Sequence, residues 1–294
     1  MRKTTNSGDT TPAPRGQYTS QTGGWKRQSL AVKSTVVAAV GTVVAGLGLV
    51  APSNAPVAGD LDTLSNGCTM IGAAPSPSSN PTWETVANQL KNRWHLPSAD
   101  DNFNADATIS VLASAPSDPK AGPNKGPVSK NTNGQGKPVT ISEDQTAEID
   151  GYIAYVKPGG VESCNCKSQD PQYMDTHIYV SPTLDHANQA DKKYCVIVEV
   201  TPRVRIEQVQ MGRDWSTSTL ISSLKPGTHV RISGYLFDDQ EHRPNSVADS
   251  PSNPNLWRAS CWELHPVTDI QILGAAQVPV AKPKTGTGTT GGGH

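Results

Sequence analysis

The stretch "YCVIVEVTP", residues 194–202, has the alternation of a β-strand with one buried face. Its valines at 196, 198 and 200 are expected to point into a core, because successive side chains of a strand face opposite sides. Cys195, Ile197 and Glu199 then point away from that core. The stretch therefore predicts a strand that carries chemically useful side chains on its non-core face.

Similar strand patterns lie on both sides of it. Before it come "AEIDGYIAYVK" (147–157) and "THIYVSP" (176–182), and after it come "THVRISGYLF" (228–237), "WRASCWELHP" (257–266) and "VTDIQIL" (267–273). "DWSTSTLISSL" (214–224) is expected to form a short helix capped by Asp214. Three strands, a short helix and two or more further strands are the element order of an OB-type barrel, with a β-sandwich as the alternative.

The expected organisation is mainly β, with a small OB-like β-barrel of residues 141–275. An amphipathic helix over 80–97 precedes it, with Asn80 as its cap and an apolar stripe containing Trp83, Leu90 and Trp94 that docks on the barrel. Segments rich in Pro, Gly, Ser and Asn predict flexible linkers over 52–79 and 98–140 and a disordered tail over 276–294.

The N-terminal part has the charge pattern of a membrane-targeting segment. Residues 1–33 hold six Lys or Arg against one Asp, and the 17 residues of Ser34–Val50 are uncharged. We expect a disordered basic cytoplasmic head over 1–29 and a transmembrane anchor or signal segment over 30–51. A buried soluble helix is the third reading. The first two readings place the barrel outside the cytoplasm and make the membrane a partner of this segment.

The five cysteines would then lie where disulfides persist. Because five is odd, at least one is unpaired within the chain, bound to another chain or bound to a ligand. Cys164 and Cys166 are too close for an easy mutual disulfide, so one of them is expected to pair with Cys195 or Cys261. The alternative is that Cys164 and Cys166 supply half of a metal site, together with His177 or Cys195.

Acids and histidines recur on the non-core faces and at one strand end. The strand alternation places five of them away from the core, and two more follow the 228–237 strand. The candidate cluster is Asp175, His177, Glu199, Asp238, His242, Glu263 and His265. Imidazole and carboxylate groups suit a divalent transition metal, for which His177, His242, His265 and Asp175 are the expected ligands. The alternatives are hydrogen bonds that fasten loops to the barrel, and a metal-free ligand pocket.

Several functional classes are disfavoured by the sequence. It contains no Gly-x-Ser-x-Gly, Walker or dinucleotide-binding pattern. Residues 141–275 carry 11 Lys and Arg against 18 Asp and Glu. A negative surface repels phosphates, so nucleic acid is not an expected partner, although an OB-type nuclease that holds a cation with these acids stays an alternative.

One set of five segments lies between Ile149 and Leu273: "ESCNC", "DTHI", "VEVTPR", "SGYLFDDQEH" and "WRASCWELHPVTDI". This set resembles an uncharacterised family of bacterial envelope and secreted proteins. Tyr235 stands where the family pattern has Trp, and Cys261 where it has a small residue. The resemblance implies that these segments form one domain, and it implies no activity.

The expected function is therefore that of an extracytoplasmic ligand-binding module of the bacterial cell envelope. Its ligand would be a carbohydrate, a peptide or a metal-containing compound. A metal-dependent hydrolase of the phosphodiesterase or nuclease type, using His177, His242 and His265, is the first alternative. A structural spacer domain is the second.

Overall fold

The computed structural model describes residues 61–76, 81–95, 97, 102–122 and 126–277. These residues belong to one compact unit. The expected head over 1–29, the anchor or signal segment over 30–51 and the tail beyond residue 277 lie outside them. Within the described ranges, no helix has the length and hydropathy needed to cross a bilayer.

The described chain contains four α-helices and eight β-strands. The helices are α1 (Trp83–Lys91), α2 (Ile109–Ser114), α3 (Pro202–Gln210) and α4 (Thr217–Ser223). The strands are β1 (Asn102–Phe103), β2 (Val128–Thr132), β3 (Pro138–Ser142), β4 (Gln145–Pro158), β5 (Thr176–Ser181), β6 (Val196–Val200), β7 (His229–Asp238) and β8 (Trp262–Gly274).

Five strands close into a barrel in the order β4-β5-β6-β8-β7, and β7 returns to pair with β4. All of these pairings are antiparallel except that of β6 with β8, which is parallel. Since α3 and α4 lie between β6 and β7 in the chain, the element order is three strands, helices and two strands. The predicted mainly β, OB-like barrel is confirmed.

The long strand β4 pairs with two neighbouring strands. Its first half pairs with β7 and its second half with β5. Gly151 lies where these halves meet, and a Cβ atom there would lie 2.7 Å from Val180 Cγ1 and 2.8 Å from Ile109 Cδ1. A side chain at 151 would therefore clash with both β5 and α2.

The expected flexible linker over 98–140 is wrong for most of its length. It contains β1, α2, β2 and β3, and Ile109, Val111 and Leu112 of α2 join the core that fills the barrel. Thr108 caps α2, with its hydroxyl accepting a hydrogen bond from Val111 N. The surrounding Pro, Gly and Ser residues are typical of a linker, so the sequence pattern does not indicate this short helix. Its apolar side chains complete the core.

The expected linker over 52–79 is also wrong for residues 61–76. Leu61, Leu64, Cys68 and Ala74 are buried. Ala73 N donates a hydrogen bond of 2.7 Å to Ser163 O in the loop between β4 and β5. This segment therefore packs on the barrel.

The predicted amphipathic helix over 80–97 exists as α1, but it is shorter and lies on a different face. Thr82 is its cap, whereas the predicted cap Asn80 is outside the described residues. The buried side chains of α1 are Thr85 and Asn88, followed by Asn92, while the expected apolar stripe is only half-buried. The polar side chains are buried because they bind carbonyl groups of residues 61–76, which a purely apolar face would leave without partners.

The helices after β6 differ in part from expectation. The expected helix near Asp214 is α4, capped by Ser216, whose backbone N–H binds Asp214 Oδ1. The sequence reading missed α3, which Thr201 caps and Pro202 begins. That Thr-Pro pair is a helix-start signal.

Candidate functional site

Five of the seven predicted site residues meet on the outer face of β5, β6 and β8. His177 lies opposite Glu199 across β5 and β6, and the parallel pairing of β6 with β8 places Val198 opposite Leu264. Glu199, Glu263 and His265 therefore lie side by side. Asp175, just before β5, is 3.7 Å from His265, measured from Oδ2 to Nε2. The structure therefore brings these five residues together.

These residues face away from the barrel interior, but they are not exposed to solvent. Asp175 and His265 are 1% and 0% exposed, Glu263 is 0% exposed and Glu199 is 3% exposed. The face of the barrel that carries them is covered by α1, by residues 61–76 and by the loop between β4 and β5. This cover rests on hydrogen bonds from Asn92 Nδ2 to the carbonyls of Met70 and Cys164, at 3.0 and 2.8 Å.

His265 is held by a chain of charged groups. Its Nδ1 is 3.1 Å from Glu263 Oε1, and Glu263 Oε2 accepts a 2.6 Å hydrogen bond from Arg258 Nη2. Arg258 Nη1 also donates to Asp239 Oδ2 at 3.1 Å. The guanidinium compensates both buried carboxylates, and Glu263 orients the imidazole.

His177 forms the second arm of the cluster. Its Nε2 lies 3.2 Å from Glu199 Oε2 and 3.3 Å from Glu162 Oε1. Burial lowers the pKa of His177, but the charge of Glu199 and hydrogen bonding to Glu162 more than offset this and raise it to about 10. His177 is therefore a cation at neutral pH in the structure as it stands.

Lys91 reaches into the cluster from α1. Its Nζ is 3.3 Å from Glu162 Oε2 and lies 5.3 Å from the centre of the Phe237 ring. Burial acts to lower the pKa of Lys91, yet the charges of Asp239 and Glu162 raise it above its ordinary value. The ammonium therefore contributes to the charge balance of the site.

The pKa values of Asp175 and Glu199 shift in opposite directions in these surroundings. Burial and the charge of Glu162 raise the pKa of Asp175 to about 6. Burial also acts to raise the pKa of Glu199, but the imidazoles of His177 and His265 lower it below its ordinary range. At neutral pH both carboxylates are therefore ionised, and they lie beside two imidazoles.

Asp238 and His242 do not join this cluster. Asp238 Oδ2 accepts hydrogen bonds from Ser117 Oγ at 2.8 Å and from Asp118 N at 3.1 Å, so it fastens the chain that follows α2. His242 is 40% exposed at its side chain, lies 3.5 Å from Asp239 Oδ2 and packs edge-on against Trp257. The expected metal ligand His242 is therefore a partly exposed residue at the rim of the barrel.

The sequence reading of the disulfide is wrong. Cys68 is bonded to Cys166, while Cys164, Cys195 and Cys261 are free and buried in the described structure. The pairing arises because residues 61–76 pack against the loop that carries Cys166. The sequence pattern around Cys68 is typical of a linker, so it does not indicate Cys68 as the partner of Cys166.

Three groups in the described residues bring acids, histidines and a cysteine within metal-binding distance. They are Glu162 with Cys164 and Asp175, Glu162 with His177 and Glu199, and Asp175 with Glu199 and His265, and the ligand atoms in each lie within 4.8 Å of one another. The sequence pattern did not indicate Glu162 as a member, although it stands two residues before Cys164 in "ESCNC". These groups support the predicted capacity to hold a metal ion.

A separate open groove lies beside α3 and α4. It encloses about 920 Å³ between these helices, Ser65, Pro158 and the turn of Pro171–Tyr173. Ile206, Val209 and Ile221 give it apolar walls, and Arg205 and Asp214 give it charged groups. Arg205 shapes one wall, since its Nη2 donates hydrogen bonds to the carbonyls of Gln172 and Met174.

No protein-family model matches this chain, and none of the curated proteins is significantly similar to it. The resemblance to bacterial envelope proteins therefore stays a prediction that rests on the quoted segments alone.

Proposed function

We propose that this protein is a ligand-binding module that works outside the cytoplasm, in the cell envelope, and that it binds its ligand in the groove beside α3 and α4. The observation that carries the proposal is the contrast between the buried charged cluster and this open groove of about 920 Å³. A ligand can enter the groove without any movement of the chain. The charged cluster is closed by the protein's own residues.

The position of the groove supports the proposal. OB-type barrels bind ligands on the face of their second and third strands and with the loops around it. Here β5 and β6 are those strands, and their outer face is covered by α1 and residues 61–76. The loop between β4 and β5 nevertheless supplies Pro171–Tyr173 to one wall of the groove.

The chemistry of the lining favours an extended peptide as the ligand. Apolar walls with a few fixed polar groups are typical of small-ligand sites. Val209 and Ile221 are 45% and 38% exposed, so their apolar surface is available for contact. Asp214 and the serines of the α4 N-terminus supply polar groups for a peptide backbone.

A location outside the cytoplasm is supported by the bond between Cys68 and Cys166. Disulfides persist in oxidising compartments and are rare in the cytosol. The charge pattern of residues 1–50 agrees with this location.

The proposal is tested by calorimetric titration of the full chain with a panel of short peptides and, separately, with oligosaccharides. Val209→Glu and Ile221→Glu change exposed groove residues, and Ile272→Glu changes a residue that is 56% exposed and lies outside the groove. We expect saturable peptide binding that both groove variants weaken by about tenfold or more, or about 1.4 kcal/mol, and that the control leaves unchanged. Binding that the groove variants do not alter would refute the location, and no saturable binding to either panel would favour a structural spacer.

A metal-dependent hydrolase is the second candidate, favoured by the three groups of metal-binding side chains. A catalytic metal site keeps a position open for water or substrate. Asp175 and His265 are buried, so hydrolysis would require displacement of α1. Cleavage of a chromogenic phosphodiester in the presence of Mn²⁺ or Zn²⁺, lost in His265→Gln and kept in His242→Gln, would favour this candidate.

A further inference from the structure

Glu162, His177 and Glu199 bring three potential metal-ligand atoms together at one edge of the charged cluster. His177 Nε2 lies 3.3 Å from Glu162 Oε1 and 3.2 Å from Glu199 Oε2. One ligand atom from each of the three residues lies within 4.8 Å of the other two. A tetrahedral zinc ion with ordinary bond lengths separates its nitrogen and oxygen ligands by about 3.4 Å. Both observed nitrogen-to-oxygen distances lie within about 0.2 Å of that value.

Glu199 Oε2 is buried and accepts no hydrogen bond from the described residues. The nearby Nε2–H of His177 is directed to Glu162 Oε1 instead. His265 Nδ1 is 3.5 Å from Glu199 Oε2, but it is directed to Glu263 Oε1 at 3.1 Å. A buried carboxylate oxygen without a donor retains the cost of losing its water. One N–H cannot serve two carboxylates well, whereas a metal ion at that position binds the ring nitrogen and both oxygens.

Gly159 leaves room beside the same ring nitrogen. A Cβ atom at 159 would lie 2.9 Å from His177 Nε2 and 3.0 Å from Asp175 O. The side chains of His177 and Glu162 are 11% and 23% exposed, whereas Asp175 and His265 are buried. This edge is therefore the part of the cluster that solvent reaches, and the partly exposed Glu162 can adjust to an entering ion.

We propose that Glu162, His177 and Glu199 bind one Zn²⁺ ion, which takes the place of the proton on His177 Nε2. Three protein ligands leave a fourth position for water, as in catalytic zinc sites. One imidazole and two carboxylates suit both Zn²⁺ and Mn²⁺, and Zn²⁺ binds such donors more tightly. The site is separate from the groove beside α3 and α4 and does not depend on peptide binding.

The neighbouring polar groups surround this site and have other partners. Lys91 Nζ lies 3.3 Å from Glu162 Oε2, which is not the oxygen nearest His177. His265 faces Glu263 through Nδ1, and its Nε2 lies 3.7 Å from Asp175 Oδ2 on the other side of the ring. The three ligands can therefore bind an ion while these contacts stay in place.

The charge of the cluster also agrees with a bound cation. Lys91 and Arg258 are its fixed cations, and a Zn²⁺ ion in place of one proton adds one positive charge. The acidic side chains in or beside the cluster outnumber these cations, and they are Glu162, Asp175, Glu199, Asp239 and Glu263.

The first test uses the full chain with its disulfide intact, stripped by a chelator and then supplied with Zn²⁺. Bound zinc is measured by elemental analysis, and affinity by competition with a chromogenic chelator. The site variants are His177→Gln and Glu162→Gln. The matched control is His186→Gln, at a histidine 3.4 Å from the carboxylate of Asp191 that belongs to none of the metal-binding groups.

We expect about one zinc per chain and a higher melting temperature with zinc than with chelator. His177→Gln and Glu162→Gln should each weaken zinc binding by about a hundredfold or more, and His186→Gln should bind zinc as the wild type does. If His177→Gln does not fold, Glu162→Gln alone decides the matter, because its side chain is partly exposed.

The second test changes the room beside Nε2 without changing a ligand. Gly159→Ala places a methyl group against His177 Nε2, whereas a Cβ at Gly160 meets no atom of the described structure within 4 Å. We expect Gly159→Ala to weaken zinc binding by about tenfold or more and Gly160→Ala to leave it unchanged. Equal zinc affinities of the two variants would contradict an ion at this position.

The proposal is overturned if the folded wild-type chain binds no stoichiometric zinc. It is also overturned if the folded site variants bind zinc as tightly as the wild type, because the ligands would then be other residues. Neither measurement involves a peptide, so the zinc site and the groove can fail separately.

Discussion

Nη1 of Arg203, in α3, donates a hydrogen bond of 2.6 Å to Oδ1 of Asn92, at the end of α1. The same guanidinium donates through Nε to Leu61 O and through Nη2 to Cys68 O, both at 2.9 Å. Arg203 is fully buried. One side chain therefore joins α3, α1 and residues 61–76, and it holds the cover of the charged cluster in place.

Arg203→Lys is expected to loosen this cover. An ammonium cannot reproduce three hydrogen bonds in the fixed plane of a guanidinium, so some buried acceptors lose their partners. We expect the free energy of unfolding to fall by about 2–4 kcal/mol. Hydrogen exchange should lose protection in residues 61–76 and 81–95 and keep it in β4–β8.

The matched control for this variant is Arg213→Lys, whose side chain is 44% exposed and pairs with Asp269 at the surface. It should change the free energy of unfolding by less than about 1 kcal/mol. Equal protection of residues 61–95 in Arg203→Lys and wild type would contradict the role assigned to Arg203.

The barrel and the meeting of its polar side chains were predictable because both follow from local rules. The alternation around Glu199 and around His177 assigns each side chain to a face, and the element order then makes the two strands neighbours. Their opposition in β5 and β6 is the direct result. No contact between distant segments was needed for this inference.

The burial of the cluster was not predictable, because the contacts that cover it join residues far apart in the chain. Asn92 binds the carbonyl of Cys164, 72 positions away. The apolar stripe of α1 pointed to docking through Trp83 and Leu90, whereas the helix is held through Asn88 and Asn92. Hydrogen bonds to backbone carbonyls cannot be inferred from a hydrophobic pattern.

The packing of α2 can be tested at Leu112, which is 0% exposed although it lies in a stretch typical of linkers. Leu112→Ala leaves a cavity in the barrel core, and we expect a loss of about 2–5 kcal/mol in the free energy of unfolding, measured with denaturant. Val128→Ala, at a residue of the same stretch that is 39% exposed, should cost less than about 1 kcal/mol. Equal effects of the two variants would restore the linker interpretation.

Two buried carboxyl groups outside the cluster make stability depend on pH. Burial raises the pKa of Asp238 to about 7 and that of Glu143 to about 8. Both pKa values lie above those of the same groups in the unfolded chain. Each group therefore stabilises the fold most at a pH low enough to keep it protonated in both the folded and the unfolded chain. This contribution is lost as pH rises from about 4 through about 8, when the buried groups must ionise.

Asp238→Asn and Glu143→Gln should therefore gain stability over the wild type as pH rises. We expect differences close to zero at about pH 4 that grow to about 2–4 kcal/mol at about pH 8.5, measured by denaturant unfolding at each pH. A constant difference across this range would contradict ionisation as the cause.

The bond between Cys68 and Cys166 closes a loop with a sequence separation of 98 residues. Such a crosslink restricts the unfolded chain, and its loss is expected to cost about 2–5 kcal/mol. We expect Cys68→Ala combined with Cys166→Ala to lower the denaturant midpoint, as reductant should in the wild type. Reductant should not change the midpoint of the double variant, because the three remaining cysteines are free within the described structure. If wild-type protein unfolds at the same denaturant concentration with and without reductant, the crosslink does not hold residues 61–76 on the barrel.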